Sequence, residues 1–237
     1  MNLLSIAMEI GVANPEPSGS ENAPTKKAAR PRGRPRAFDR EQALETAMLL
    51  FWRQGFEATS LSDLTAAMGI APPSLYAAFG SKEQLFREAL QRYLQNFRSA
   101  HAGTLQAEGL GAREGFQRLF ESIAQGFGGC GQRTGCMLVA AEVGGLGSAA
   151  HLREELTAHR NSIEAGFRTR IERGQREGDV PASVDATALA KFLSTVVQGL
   201  SIQARDGASA AQLREVLRTA LLAFPPSPAL RIDAAAV

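Results

Sequence analysis

Apolar positions recur along most of this chain at spacings of three and four residues. Leu44, Ala47, Met48 and Phe51 stand at offsets 0, 3, 4 and 7. Phe86, Ala89, Leu90, Tyr93 and Phe97 repeat that pattern and add an offset of 11, as do Phe116, Leu119, Phe120, Ile123 and Phe127. Two later segments carry wider stripes: Leu189, Phe192, Leu193, Val196, Val197 and Leu200, then Leu213, Val216, Leu217, Ala220, Leu221 and Phe224. Side chains three and four apart share one face of a helix, so each segment predicts an amphipathic helix. No alternating run is long enough for a strand. The expected fold class is all-α, with helices over 39–54, 60–68, 72–79, 81–107, 112–127, 136–144, 148–177, 185–204 and 208–224.

Start and stop signals agree with the periodicity. Asp39 with Gln42, Ser60 with Asp63, and Ser81 with Gln84 have the spacing of a capping box, in which a short polar side chain caps the helix and a longer one reaches back. Gly55 and Gly178 suit helix C-termini, and Pro225 with Pro226 ends the last helix.

Within this pattern the stretch Thr59–Phe79 reads as helix, tight turn, helix. Leu61, Leu64 and Met68 line the first helix, Gly69 supplies the turn, and Ile70 packs the pair together. The second helix opens at Pro72, where the missing N–H is harmless because a first-turn donor has no helical partner. Leu75, Ala78 and Phe79 face inward, which leaves Pro72, Pro73, Ser74, Tyr76 and Ala77 facing out. A helix with so small an outer face can lie close in a DNA major groove. Ser74 and Tyr76 bring hydroxyls for phosphate oxygens. Ser81 and Lys82 open the next helix, where free backbone N–H groups and a cation also favour phosphate. Pro72, Pro73 and Ala77 suit apolar contact, so readout is expected to use few base-edge hydrogen bonds and to draw on DNA shape.

Charge strengthens the nucleic-acid reading. The 237 residues carry a net charge of only +2, unevenly placed. Residues 26–98 hold twelve Lys and Arg against seven Asp and Glu, whereas residues 99–237 hold fourteen of each. Arg32, Arg34 and Arg36, in a Pro- and Gly-rich basic segment, read as an extended arm of the kind that follows an A·T minor groove. Residues 1–25, with three Glu and no base, read as a disordered leader, or as residues ahead of the true start, rather than a signal peptide. No apolar run reaches the roughly 18–20 residues of a membrane span. A cytoplasmic location is expected.

Other chemistries are poorly represented. Two cysteines make no disulfide framework, and three histidines have no metal-ligand spacing with them. There is no Ser-His-Asp set, paired-carboxylate arrangement, phosphate-binding loop or metal motif, so neither an enzyme nor a cofactor is expected. An architectural DNA protein using the basic arm alone would leave the neutral helical body without a role. The segment Gly128–Val139 holds Cys130 and Cys136 among four glycines. Cys136 reads as a small core residue or, at a helix N-terminus that favours thiolate, as part of a thiol or Cu(I) sensor with Cys130.

Four motifs in order carry a family resemblance: F-D-x-x-x-A-L at Phe38–Leu44, F-x-x-x-G-F-x-x-T-S at Phe51–Ser60, G-I-x-x-x-S-L-Y-x-x-F at Gly69–Phe79, and G-S-K-E-x-L-F at Gly80–Phe86. This stretch resembles the N-terminal domain of TetR/AcrR-family transcriptional regulators. The resemblance implies a leader and arm over 1–36, a DNA-binding domain over 37–83 and a helical effector-binding and dimerisation domain over 84–237. It implies DNA contacts from Thr59, Ser60, the outer face of the second helix of the motif and Lys82. Many relatives carry a basic residue near Pro72 and near Ala77, and this chain has neither. It also implies a dimeric repressor on a palindromic operator, released by a small-molecule effector. The broad apolar stripes of the last two helices, with small Ser194, Gly199 and Ala220, suit a four-helix dimer interface. Candidates for an effector pocket are Phe116, Phe120, Phe127, Met137, His159, Phe167 and Phe192.

Overall fold

The structure is a computed structural model that describes residues 38–128, 135–143, 145–147, 149 and 151–224. Among the described residues it is all-helical, as expected. The helices are α1 (Arg40–Gln54), α2 (Leu61–Met68), α3 (Pro72–Phe79), α4 (Lys82–Leu105), α5 (Ala112–Gly128), α6 (Met137–Val143), α7 (His151–Glu177), α8 (Ala186–Arg205) and α9 (Ala210–Ala220), followed by a 3-10 turn over Leu221–Ala223. No helix among these residues is long and apolar enough to cross a membrane.

The caps act where the sequence puts them. The Asp39 carboxylate accepts from the N–H groups of Glu41 and Gln42, and Ser81 Oγ accepts from Gln84 N–H. Ser60 and Asp63 form a full capping box that satisfies donors at both of its ends. Gly55 and Gly178 follow α1 and α7 with φ of 85° and 83°.

Two apolar clusters make the core. The first joins α1, α2 and α3 to Leu85, Phe86, Leu90 and Tyr93 of α4, to Met137, Leu138 and Ala141 of α6, and to Leu152 and Leu156 of α7. It runs across the expected boundary between residues 83 and 84. At its centre Phe51 stacks on Phe56 and both meet Phe86 edge-on, with ring centroids 5.1–6.2 Å apart. The second cluster joins α5, the later part of α7, α8 and α9 around Phe116, which packs edge-on to Phe167 at 5.1 Å. Helix α4 serves both, because Phe97 and Leu105 near its other end pack on the second cluster.

Helices α4 and α7 are tied by long side chains near both of their ends. Glu83 meets His151 at 2.9 Å and Arg87 meets Glu155 at 2.9 Å near the start of both helices. At the far end Arg173 Nη1 reaches the Gln106 carbonyl at 3.5 Å. The side chain of Arg170 is fully buried there, donates to the Leu110 carbonyl and lies 3.7 Å from Glu177. These polar ties fix the link between α4 and α5 to the end of α7.

Candidate nucleic-acid interface

Helices α2 and α3 are each only eight residues long, and neither would persist alone in water. Tertiary anchors hold them. Leu64 and Leu75 are completely buried and Phe79 nearly so; each contributes about 1.5–3 kcal/mol relative to an exposed side chain. Between the helices Gly69 takes a left-handed conformation (φ 66°, ψ 32°) that a residue with a Cβ enters only at a cost. Its N–H closes on Ala66 O, and the Ile70 N–H closes on Thr65 O.

Helix α3 starts with Pro72 and Pro73, which have no N–H to cap, and the Ser74 and Leu75 N–H groups both close on the Ala71 carbonyl. Its far end is fastened to α1. The Arg40 guanidinium lies 4.5 Å over the Phe79 ring, reaches the Ala78 carbonyl at 3.4 Å and pairs with Glu88 at 2.7 Å. Pro72, Pro73, Tyr76 and Ala77 face out, with Tyr76 48% exposed, and Ser74 is half-buried. The outer face of α3 is therefore small and uncharged, flanked by the N-termini of α2 and α4.

At those N-termini Ser60 and Ser81 are exposed cap residues. Lys82 is half-buried. Its ammonium lies 4.5 Å over the Phe56 ring and 3.4 Å from the Glu57 carbonyl. Burial pulls its pKa down, and the Glu57 charge opposes that shift. Thr59 corrects the sequence reading: its side chain is fully buried and its hydroxyl donates to the Gly55 carbonyl at 2.7 Å. It closes the turn after α1 and presents no hydroxyl to DNA. Arg32, Arg34 and Arg36 lie outside the described residues.

The candidate effector residues do not form one pocket. Phe116, Phe120, Phe127 and Phe167 share the second cluster, but Met137 belongs to the first. Phe192 is 44% exposed and points away from the core, because the neighbouring Leu189 and Leu193 take the inward positions on α8. His159 lies half-buried on α7. Phe120 borders a cleft of about 300 Å³ between α5 and α9, also walled by Arg113, Arg214, Leu217 and Leu221. Ser194 and Ala220 are buried within the subunit's own core, whereas Gly199 is exposed.

Cys130 lies outside the described residues. Cys136 does precede a helix, but the thiolate expected there is disfavoured. Burial pushes its thiol pKa up, against the Tyr93 hydroxyl, the N–H groups of Val139 and Leu138, and the Arg160 charge. Two residues with structural roles at this end of the molecule are invisible to the sequence reading, Arg40 and Trp52. An arginine at a helix start and a lone tryptophan carry no pattern that tells which distant carbonyl they reach.

A three-helix head with an anchored second motif helix, a small outer face and flanking cap hydroxyls defines a helix-turn-helix DNA-binding protein. Comparison with known proteins narrows the class. Residues 43–89 match the family described as "Bacterial regulatory proteins, tetR family", and residues 112–220 match "Tetracyclin repressor-like, C-terminal domain". The HTH-type transcriptional repressor ComR of Escherichia coli is 36% identical over 200 residues, 82% of this chain and 92% of that protein. The repressor BdcR of the same organism is 34% identical over 192 residues, 80% and 90% of the two chains. A cysteine-mutant form of the TetR family transcriptional regulator CifR, solved with a 26-bp double-strand operator DNA, is 44% identical. The match covers 81% of this chain and all of that one, with a TM-score of 0.76. The chain belongs to the TetR family of transcriptional regulators.

Proposed function

We propose that this regulator is an operator-binding repressor that reads DNA as a homodimer and is released by a small-molecule effector. The observation that carries the reading is α3: held from behind by Leu75, Phe79 and Arg40, it offers Pro72, Pro73, Tyr76 and Ala77 outward with no charge among them. Such a face enters a major groove closely and contacts base edges through apolar surface. Ser60, Ser74, Tyr76, Ser81 and Lys82 hold the phosphates on either side. Arg32, Arg34 and Arg36 follow the adjacent minor groove.

Dimerisation falls to the outer face of the last two helices. Phe192, Thr195, Gly199 and Ile202 line one exposed side of α8, and Val216 and Leu222 are exposed on α9 and the turn after it. Large apolar side chains left outside in this way favour a partner helix pair. The effector belongs in the body, and the α5–α9 cleft beside Phe120 is the first place to seek it. The protein acts in the cytoplasm, where its DNA is.

Selection of bound duplexes from random sequence, followed by gel shifts across a salt series, tests the reading. The expected product is a palindrome. Tyr76→Phe and Lys82→Ala should weaken binding to every sequence alike, and Lys82→Ala should flatten the logarithmic salt slope by about 1. Unchanged affinity in both variants would remove these residues from the interface, and selection of no common sequence would overturn the operator reading.

A further inference from the structure

Three pieces of chain meet where α1 ends. Trp52 and Arg53 form its last turn, where backbone carbonyls have no helical partner. Arg205, the last residue of α8, reaches both: Nη1 donates to Trp52 O and Nη2 to Arg53 O, each at 3.2 Å. The Trp52 indole N–H donates to Gly135 O at 2.9 Å, and the ring stands edge-on to Tyr93 at 5.0 Å. Gly135 is in turn pressed on α8. A Cβ there would lie 2.4 Å from the Ser201 carbonyl oxygen, and the next N–H, of Cys136, donates to Ser201 Oγ at 2.7 Å. Ser201 and Arg205 are one turn apart, so one face of α8 grips both segment 135–136 and the end of α1.

This joint has a direction that apolar packing lacks. A guanidinium is a planar fork, and two carbonyls taken by its two arms fix an angle as well as a distance. The side of α8 away from Ser201 carries exposed Phe192 and Gly199. One helix therefore has the proposed partner subunit on one side and the reading head on the other.

We propose that Arg205 and Trp52 are positioning residues that set the angle of the reading head on the dimer helix and thereby select the spacing between operator half-sites. The proposal rests on the dimer reading given above. Its physical basis is that a half-site moved by one base pair shifts by about 3.4 Å and turns by roughly 35°. A rigid joint cannot follow that movement, and a loosened one can.

The test uses the full chain and the palindrome obtained by selection, prepared with its half-sites at the selected spacing and one or two base pairs closer or farther. Wild type should lose about tenfold in affinity for each base pair of change, the cost of one charge-assisted contact. Arg205→Gln and Trp52→Phe should cut that penalty to about threefold while remaining dimers in sedimentation and keeping the wild-type salt slope. Arg205→Lys, which keeps charge without the fork, should fall between. Trp52→Phe keeps an aromatic ring and removes one hydrogen bond, so it remains informative if an Arg205 variant does not fold. Full spacing discrimination in folded variants overturns the proposal. So does an equal loss on every spacing, which is what a merely structural helix cap would give. A wild-type protein that sediments as a monomer would overturn the dimer reading itself, and the proposal with it, before any variant is compared.

Discussion

The half-buried Cys136 thiol sits at the edge of the first cluster beside the buried Tyr93 hydroxyl, and burial disfavours ionising either one. Burial raises both pKa values above those of the unfolded chain. The neutral forms are thus the folded forms, and the stability they contribute is complete below the unfolded thiol pKa and is lost as pH rises through the folded values. Lys82 works with the opposite sign: burial lowers its pKa, so its charge costs stability at neutral pH, and that cost disappears in alkali. Melting temperature should be level through neutral pH and fall above about pH 9. The fall should be shallower in Tyr93→Phe and in Cys136→Ala, and thermal melts across the alkaline range check it. An equally steep fall in both variants would place the alkaline sensitivity elsewhere. The same burial explains why a thiol whose place at a helix start suggests activation is held protonated. Sequence position shows the helix N-terminus, but not the packing that outweighs it.

At the scale of elements the sequence is most legible. Every helix among the described residues follows from periodicity and caps, because both are local: a stripe needs only i, i+3 and i+4, and a cap only three residues of chain. What stays hidden is which part of a wide stripe faces inward. Phe192 and Leu193 are neighbours in one stripe, and only the placement of α7, α9 and α5 against α8 sends Leu193 in and Phe192 out. Thr59 has a hydroxyl that suits a phosphate, but the Gly55 carbonyl four residues back claims it first. Met137 goes to the first cluster for a tertiary reason of the same kind, the docking of α6 on α1. Glycines separate local from tertiary demands in a way that can be measured. Gly126 is exposed in α5, and a Cβ added there would meet nothing within 4 Å. It has no tertiary role, so Gly126→Ala should stabilise by about 0.5–1 kcal/mol. Gly135 has a φ of 58°, and a Cβ on it would stand 2.4 Å from the Ser201 carbonyl oxygen. Gly135→Ala should cost at least about 1–2 kcal/mol for the left-handed backbone alone, and more for the collision. Denaturant melts of the two variants should move in opposite directions, and equal shifts would mean that segment 135–136 does not press on α8.

For the whole molecule the deciding question is what covers the outer face of α8 and α9. A subunit that buries Leu193, Leu200, Leu213 and Leu217 in its own core has no internal use for Phe192, Ile202, Val216 and Leu222 outside it. Operator binding gives them one, because a single head on a half-site makes too few contacts to resist competing DNA, and two heads joined by a fixed interface add their contacts. Phe192→Asp should separate these roles. The side chain is 44% exposed in the subunit, so the folded monomer should keep its helix content and nearly its melting temperature. In a dimer joined through this face the same change sets an unpaired carboxylate against the partner's apolar helices, where a loss of more than about 2 kcal/mol, roughly thirtyfold in association, is expected. Sedimentation should show a shift toward monomer. Gel shifts should show the palindrome bound no better than an isolated half-site at protein concentrations where wild type binds the whole. A Phe192→Asp protein that remains dimeric and binds the palindrome as wild type does would move the interface off this face, and the exposed stripe on α8 would then need another partner.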